Sequence, residues 1–381
     1  MPDPQSPALR RTPLAAVHAG LGATMTEFAG WLMPLRYGSE TAEHNAVRKA
    51  AGLFDLSHMG ELMITGDGAA AVLDYALVGE ASAIKPGRAR YTMICAPDGG
   101  VIDDLIVYRL AESQYLVVAN ASNATVVAAE LAERSDGRGA EVRDRTADYA
   151  LIAVQGPRAA AIVASLTSTD LDQVRYYASY QATIAGSEAL LARTGYTGED
   201  GFEIFVGPQE AAPLWEALTE AGRGFGLVPA GLAARDSLRL EAGMPLYGNE
   251  LGRDVTPYDA GLGRIVKLDK PGDFVGRAAL AERAQAAPTR VLVGLAGQTR
   301  RVPRHGYSVL WNGEPCGTVT SGAPSPTLGR PIAMAYVTAE MAAEARSAAG
   351  TSQGRLAVDI RGSAEPAELV PLPFYKRPTP N

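Results

Sequence analysis

The sequence predicts an α+β protein in which two related strand-and-helix units precede a small β-barrel or sandwich. Three observations carry that expectation. Between Gly60 and Tyr149 short β-branched runs alternate with Ala-rich helical patterns, and a similar cadence returns from Ala150 to Ala221. The residues do not repeat, so the cadence alone points to a duplicated α+β unit. Beyond Pro288 the chain changes to short strands separated by Gly, Pro and Asn turns, the pattern of a small barrel or sandwich. Finally, 381 residues at 47% hydrophobic and 20% charged are ordinary globular composition, long enough for two or three domains.

In chain order, residues 14–50 read as helix-rich, with 40–51 one amphipathic segment after a turn at Pro34. The first unit places strands at 61–65, 91–95, 101–110 and 115–119, and helices at 69–78 and 124–133; a Gly-rich turn at 135–139 closes it. The second places strands at 150–155, 180–184, 189–194 and 202–206, with helices at 157–166 and 213–221. A further helix over 230–242 is stopped by Gly243 and Pro245. The helical run 278–287, ended by Pro288, marks the junction to strands at 291–295, 308–311, 318–320, 332–337 and 356–360. Asn312-Gly313 is a strong hairpin signal there, because a type I′ turn needs positive φ at both central residues.

A formal net charge of −7 without any Lys/Arg block argues against a nucleic-acid partner, which would normally meet a basic face. Cys95 and Cys316 lie far apart with no Cys-x-x-Cys pair, which argues against a disulfide framework, a structural zinc or an iron–sulfur cluster and suits a reducing cytoplasm. His18, His44, His58 and His305 are isolated from one another, and no His-Glu-x-x-His occurs. Residues 1–7 carry no apolar run and so do not read as a secretory signal. No stretch approaches the roughly 18 apolar residues of a membrane helix. A cytoplasmic protein without membrane attachment is expected.

The most informative stretch is Gly99-Gly100-Val101-Ile102-Asp103-Asp104-Leu105-Ile106-Val107-Tyr108. Apolar residues on both faces predict a strand covered on both sides. Alternation puts Asp104 on one face with Ile102, Ile106 and Tyr108, and Asp103 on the other with Val101, Leu105 and Val107. A carboxylate is seldom fully buried unpaired, so at least one is paired, serves the turn, or faces a polar cavity; the residues alone leave turn and site equally open. The second stretch runs Thr194-Gly195-Tyr196-Thr197-Gly198-Glu199-Asp200-Gly201-Phe202-Glu203. Its glycines permit tight turning and close approach to a flat ligand, and they lead into Glu203 inside an apolar strand. Glu203 on a solvent-facing edge strand is the plainer alternative, and Glu199 and Asp200 read as surface turn residues. Third, Arg235 and Arg239 lie four apart on one helical face, where like charges repel unless an anion or internal carboxylates pair them. The Rossmann fingerprint, the Walker A loop, the Gly-x-Ser-x-Gly elbow and a Cys/His nucleophile cluster are all missing. What remains is a site of carboxylates, tyrosines and an arginine, suited to a flat, donor-rich heterocycle.

Seven motifs then appear in family order: Phe28-Ala29-Gly30-Trp31, Phe54-Asp55-Leu56-Ser57-His58-Met59-Gly60-Glu61, the 99–108 strand, Ala153-Val154-Gln155-Gly156-Pro157, the 195–203 loop, Ala234-Arg235-Asp236-Ser237-Leu238-Arg239-Leu240-Glu241, and Ser321-Gly322-Ala323-Pro324-Ser325-Pro326-Thr327-Leu328-Gly329. Together they resemble the aminomethyltransferase family, the T-protein of glycine cleavage, from about residue 12 onward. The resemblance implies three lobes, two αβ and one C-terminal barrel, around a folate channel, with 12–287 as the folate-binding region and 288–381 as the barrel. It implies transfer of a methylene carbon from an aminomethyl-lipoyl carrier, the H-protein, to tetrahydrofolate with release of ammonia, without metal, flavin or nicotinamide. Position by position, Asp104 matches the catalytic aspartate, Glu203 the glutamate on the pteridine edge, Arg235 a folate-contacting arginine and Tyr196 a pocket wall. Tyr91, Asn120 and Tyr176 resemble further pocket residues, and Tyr375 the C-terminal tyrosine of the site, with Lys376 and Arg377 beside it as candidates for the folate's carboxylate tail. Folate-dependent demethylases of small methylated substrates share the fold and are the alternative enzyme; a non-catalytic folate-binding module is the other. An iron–sulfur assembly relative carries a cysteine signature that Leu246-Tyr247-Gly248-Asn249-Glu250 lacks, and the flavin dehydrogenases that contain this module carry a dinucleotide domain for which this chain has no room.

Overall fold

A computed structural model describes residues 8–347 and 355–378; the 1–7 tail lies outside the described residues. The α+β architecture with a C-terminal barrel is as expected. A five-stranded sheet runs Arg88–Cys95, Val101–Ala111, Gln114–Ala119, Gly60–Thr65, Glu141–Asp144 in spatial order. A six-stranded sheet runs Ser179–Ile184, Ser187–Ala192, Gly201–Val206, Ala150–Gln155, Ala51–Asp55, Leu227–Pro229. The repeated cadence is visible in this topology. In each unit the first strand is followed by a helix and a three-strand meander, whose last strand pairs antiparallel with the first.

Helices cover the outer face of each sheet. Leu62, Ile64, Val107 and Val117 of the first pack on Leu73 and Leu131, and Ile152, Leu191 and Ile204 of the second pack on Ile162, Leu214 and Trp215. The inner faces meet each other through Met63, Tyr108 and Leu116 from one side and Leu151, Leu190 and Phe205 from the other. Both faces of the strands are therefore apolar, which is why their sequences read as nearly continuous hydrophobic runs.

Three expectations are corrected. Residues 24–36 form a hairpin, Thr24–Phe28 with Trp31–Arg36, rather than helix. Its tip places Ala29 at φ 52° and Gly30 at φ 78°, and its second strand also pairs in parallel with Arg10–Arg11. The helix after it, Glu40–Lys49, stops at the start of the unexpected strand Ala51–Asp55. The 318–320 strand is part of a longer one, Glu314–Ser325, that bends at a register shift between Val319 and Ser321.

The C-terminal strands close into a six-stranded barrel in the order Arg290–Gly297, Arg330–Thr338, Glu314–Ser325, Ser308–Trp311, Leu356–Ile360, Ser363–Val370. Asn312 at φ 54° and Gly313 at φ 91° form the hairpin turn their sequence announces. The barrel docks on the helix Leu232–Glu241, where Leu240 packs against Ala323, Ile332 and Met334. It also docks through the Tyr336 hydroxyl, which donates to the Glu250 carbonyl at 2.8 Å.

Candidate active site

Asp104 projects from the Val101–Ala111 strand on the inner side with Ile106 and Tyr108, and Asp103 on the outer side with Leu105 and Val107, as alternation requires. A register shift near Val101 turns Ile102 to the outer core, against the simple alternation. Tyr91, on the neighbouring strand, donates its hydroxyl to Asp104 Oδ2 at 2.9 Å, and Asn120 Nδ2 donates to Asp104 Oδ1 at 2.8 Å. Burial pushes the Asp104 carboxyl above its ordinary range, against the pull of those two donors. The same carboxylate and its own burial hold the Tyr91 hydroxyl protonated well past its usual range.

Asp103 is fully buried, which settles its status as an interior group rather than a turn residue. Its oxygens accept from Asn120 N at 3.0 Å, Asn120 Nδ2 at 2.8 Å and Asn123 Nδ2 at 2.9 Å. Desolvation and the neighbouring Asp104 push it up to about 7.

Glu203 lies on Gly201–Val206, a central strand flanked by Ser187–Ala192 and Ala150–Gln155, so the edge-strand alternative is excluded. Its Oε2 accepts from the Thr194 hydroxyl and from the Tyr108 hydroxyl at 3.3 Å. Burial raises its pKa, opposed by Thr194, the charge of Arg235, and Tyr108. Oε1 has no hydrogen-bond partner among the described residues. Tyr108 and Thr194 are site residues that the sequence reading misses; the signal available was Tyr108 on the face of Asp104.

The two arginines separate cleanly. Arg239 is buried and internally paired, with Glu250 at 2.8 Å, Asp236 at 2.9 Å and Ser321 Oγ at 2.7 Å. The Arg235 side chain forms no hydrogen bond or salt bridge among the described residues; its guanidinium lies over the Tyr196 ring, 4.8 Å from the centroid. The Tyr196 hydroxyl donates to the Pro245 carbonyl, which fixes the ring. The charge of Glu203 reaches Arg235, and that of Asp104 reaches the Tyr196 hydroxyl, which burial keeps protonated. His58, buried and pushed down to about 4 by desolvation and by Arg235, is a neutral neighbour of that cation.

Asp104, Tyr91, Asn120, Tyr196, Arg235 and Glu203 therefore come together from both sheets and the Leu232–Glu241 helix. Tyr176 and Tyr375 do not join them by direct contact. Tyr176 is 48% exposed, edge-on to Tyr177 and under the Arg377 guanidinium at 5.8 Å. Tyr375 lies beneath Arg48, 4.1 Å from its guanidinium, in a cluster with Glu199 and Glu241. Arg377 pairs with Asp200 at 3.6 Å, and Lys376 is exposed.

Two further readings are corrected. Glu199 is buried and paired with Arg48 at 2.9 Å rather than a surface turn residue. The glycines of the 195–201 loop are required by protein: a Cβ on Gly195 would lie 2.0 Å from Gln155 Oε1, and one on Gly201 2.5 Å from Gln155 Nε2. Gln155 in turn donates to the Thr194 carbonyl at 3.0 Å and accepts from the Thr197 hydroxyl at 2.9 Å, so this one amide shapes the loop. A cavity of about 700 Å³ between the 247–255 loop and the barrel, lined by Tyr247, Asn249, Arg253, Arg290, Cys316 and Tyr336 among others, does not include Asp104, Glu203 or Arg235. Among the described residues no cluster of His, Cys, Asp and Glu could hold a metal ion, and no helix is long and apolar enough to cross a membrane.

Known proteins share this architecture. Residues 14–270 match the GCVT N-terminal domain and residues 290–376 the glycine cleavage T-protein C-terminal barrel domain. The chain is 64% identical to the aminomethyltransferase of Streptomyces coelicolor over 98% of its own length and 99% of that protein. It is 63% identical to that of Saccharopolyspora erythraea over 97% and 98%. The crystal structure of glycine cleavage system aminomethyltransferase T from Bartonella henselae superposes with a TM-score of 0.87 at 37% identity, covering 97% of this chain and 99% of that one. The chain therefore belongs to the glycine cleavage T-protein family, the aminomethyltransferases.

Proposed function

We propose that this protein transfers the methylene carbon of an aminomethyl group, borne on the lipoyl arm of an H-protein, to tetrahydrofolate. The products are methylenetetrahydrofolate, ammonia and the reduced lipoyl carrier. The observation that carries the reading is Tyr196, set near Asp104 of the first sheet and under the guanidinium of Arg235, a cation that faces Glu203 of the second sheet and has no hydrogen-bond partner among the described residues. Residues 12–287 form the folate-binding region and 288–381 the barrel.

Tetrahydrofolate supplies the nitrogen that receives the carbon. Asp104 accepts a hydrogen bond from that nitrogen, orients its lone pair, and stabilises the positive charge that develops there. Burial raises its pKa and makes it the better proton acceptor, while the Tyr91 and Asn120 donors favour its ionised form. Glu203 has one oxygen saturated by Thr194 and Tyr108 and offers the other to the N–H donors of the pteridine edge. Arg235 and Tyr196 form a cationic, aromatic wall against an electron-rich ring. Tyr176, beneath the Arg377 guanidinium, and Tyr375 are assigned to the folate pocket by the family resemblance, and Lys376 and Arg377 to its carboxylate tail. A thiolate leaving group needs no metal.

The test is carrier dependence. Ammonia release should require tetrahydrofolate and saturate with lipoylated H-protein. It should fall sharply with free dihydrolipoamide derivatives, since docking supplies effective concentration. Raising salt should raise the apparent KM for the carrier more than it lowers kcat. Carrier-independent demethylation of a small methylated substrate would instead place the chain with the folate-dependent demethylases.

A further inference from the structure

We propose that Asp103 is a positioning residue for the reaction: it aims the Asn120 amide at Asp104. The inference rests on the assignment of Asp104 as the group that acts on the folate nitrogen. Asn120 Nδ2 lies 2.8 Å from Asp103 Oδ1, 2.8 Å from Asp104 Oδ1 and 3.1 Å from the Asp104 carbonyl, so one amide nitrogen serves three acceptors. An amide flip would turn Asn120 Oδ1 toward two carboxylates, so the pair of aspartates dictates its orientation. Asp103 fixes the same residue a second time through the Asn120 backbone N–H, and fixes the turn that carries it through Asn123 Nδ2. Neighbours that point to opposite faces of a strand are thus joined by a single side chain.

No replacement of Asp103 by its amide can preserve this arrangement. An asparagine that turns Oδ1 toward the Asn120 and Asn123 amides sets its own NH₂ against the Asn120 backbone N–H. One that satisfies the backbone sets its NH₂ against those amides. Either way a donor meets a donor, and Asn120 is released from Asp104.

The groups that face the pair are Tyr91 from the adjoining strand, Asn120 and Asn123 from the turn before the helix Ala124–Ser135, Tyr196 from the 195–201 loop, and Tyr177. Tyr247 and Glu250 face it from the loop after the helix Leu232–Glu241, with Glu250 held by Arg239 and Tyr247 close to Arg253 and Asp254. Among the described residues no arginine or lysine hydrogen-bonds to either carboxylate. Ionised Asp103 needs all three of its donors, whereas the protonated acid becomes a donor itself and competes for the same acceptors. Desolvation and the neighbouring Asp104 push its carboxyl up to about 7, so that change falls near neutral pH.

The experiment combines Asp103→Asn, Asn120→Ala and the double variant, assayed for aminomethyl transfer with melting temperature, tetrahydrofolate Kd and the pH profile of kcat. We expect Asp103→Asn to lower kcat about 10–100-fold with Kd and KM for tetrahydrofolate within about twofold, the lower part of what one acid–base group supplies. The wild-type kcat should rise through an inflection near pH 7 that the variant lacks. The double variant should be no slower than Asn120→Ala alone, because the two residues act through one contact. A purely structural Asp103 would lower the melting temperature and leave the profile of the surviving enzyme unchanged, which overturns the proposal. So would wild-type kcat in Asp103→Asn, or losses that multiply in the double variant. Should Asp103→Asn not fold, Asn123→Ala, which removes one donor to Asp103 without touching Asp104, must show a weaker form of the same kcat defect. A wild-type protein without transfer activity would refute the assignment of function, not the geometry; the orientation of the Asn120 amide in Asp103→Asn, read from its NMR side-chain resonances, then decides for or against the positioning.

Discussion

The Tyr108 hydroxyl, carried by the first sheet, lies 3.3 Å from the carboxylate of Glu203 on the second and 3.0 Å from Thr194 Oγ1. The two lobes therefore share a polar contact within the apolar packing of Met63, Leu116, Leu151, Leu190 and Phe205, and the aim of Glu203 depends on how the sheets are stacked. Removing only that hydroxyl in Tyr108→Phe should weaken tetrahydrofolate binding by about 1 kcal/mol, the net worth of one hydrogen bond. Glu203→Ala should cost about 1.5–3 kcal/mol, the range for hydrogen bonds to a charged group. Titration calorimetry measures both, and equal losses would show that Glu203 acts only through its partners.

Asp104→Asn should leave folding and folate affinity little changed while lowering turnover roughly 10²–10⁴-fold, the contribution of one acid–base group. The amide keeps the shape of the side chain but offers no anionic acceptor. Steady-state kinetics beside calorimetry separates the two effects; a variant that loses affinity and keeps kcat would assign Asp104 to binding.

Arg235 and Arg239, one helical turn apart, should fail in different ways. Arg239→Ala strands Glu250, a fully buried carboxylate, and should cost about 3–5 kcal/mol of stability. Arg235→Ala breaks no hydrogen bond or ion pair among the described residues, so stability should change by about 1 kcal/mol or less; its loss should fall on folate affinity. Urea melts and binding isotherms on the two proteins check the contrast.

Acid should loosen the junction between helix and barrel first. Glu241 accepts from His44, Arg48, Ser325 and Thr327, and hydrogen bonds from His44, Ser325 and Thr327 hold its carboxyl down at about 2. A carboxyl depressed in the folded state stabilises above its unfolded pKa and loses that contribution as pH falls through the folded value. About 3 kcal/mol should therefore disappear between pH 4.5 and 2. Glu241→Gln should be less stable at neutral pH and flatter over that window, as thermal melts across the range would record.

Much of the molecule is legible from residue patterns because its strands are buried on both faces and its turns carry Gly and Asn where positive φ is needed. Asp104 and Glu203 stand out as carboxylates in apolar strands and Arg235 as one of two like charges on a helical face, and Tyr196 and Glu203 both lie near that arginine. The hairpin at 24–36 is illegible for a local reason: Ala29 at φ 52° forms the tip where no sequence signal favours that backbone. Glu199 looks like a turn residue because its partner Arg48 is distant in sequence. Asp103 looks like the idle neighbour of Asp104 because alternation describes where a side chain leaves the backbone, whereas Asn120, arriving from the next strand, decides what it touches. Long-range partners of this kind have no period to read.

The strand Ala51–Asp55 precedes the whole first unit in the chain yet pairs with Ala150–Gln155 and Leu227–Pro229 in the second sheet. On the ribosome it emerges early, stays unpaired until the first unit is complete and Ala150–Gln155 has followed, and keeps one edge open until Leu227–Pro229 has been made. An apolar segment with both edges open is an aggregation hazard, so early folding of the first unit leaves a sticky strand waiting. Neither half is complete by itself: a break between Asp144 and Ala150 would strand Ala51–Asp55 on the wrong fragment, and only recombined halves could rebuild the second sheet. The two lobes follow one topological pattern but must be assembled together.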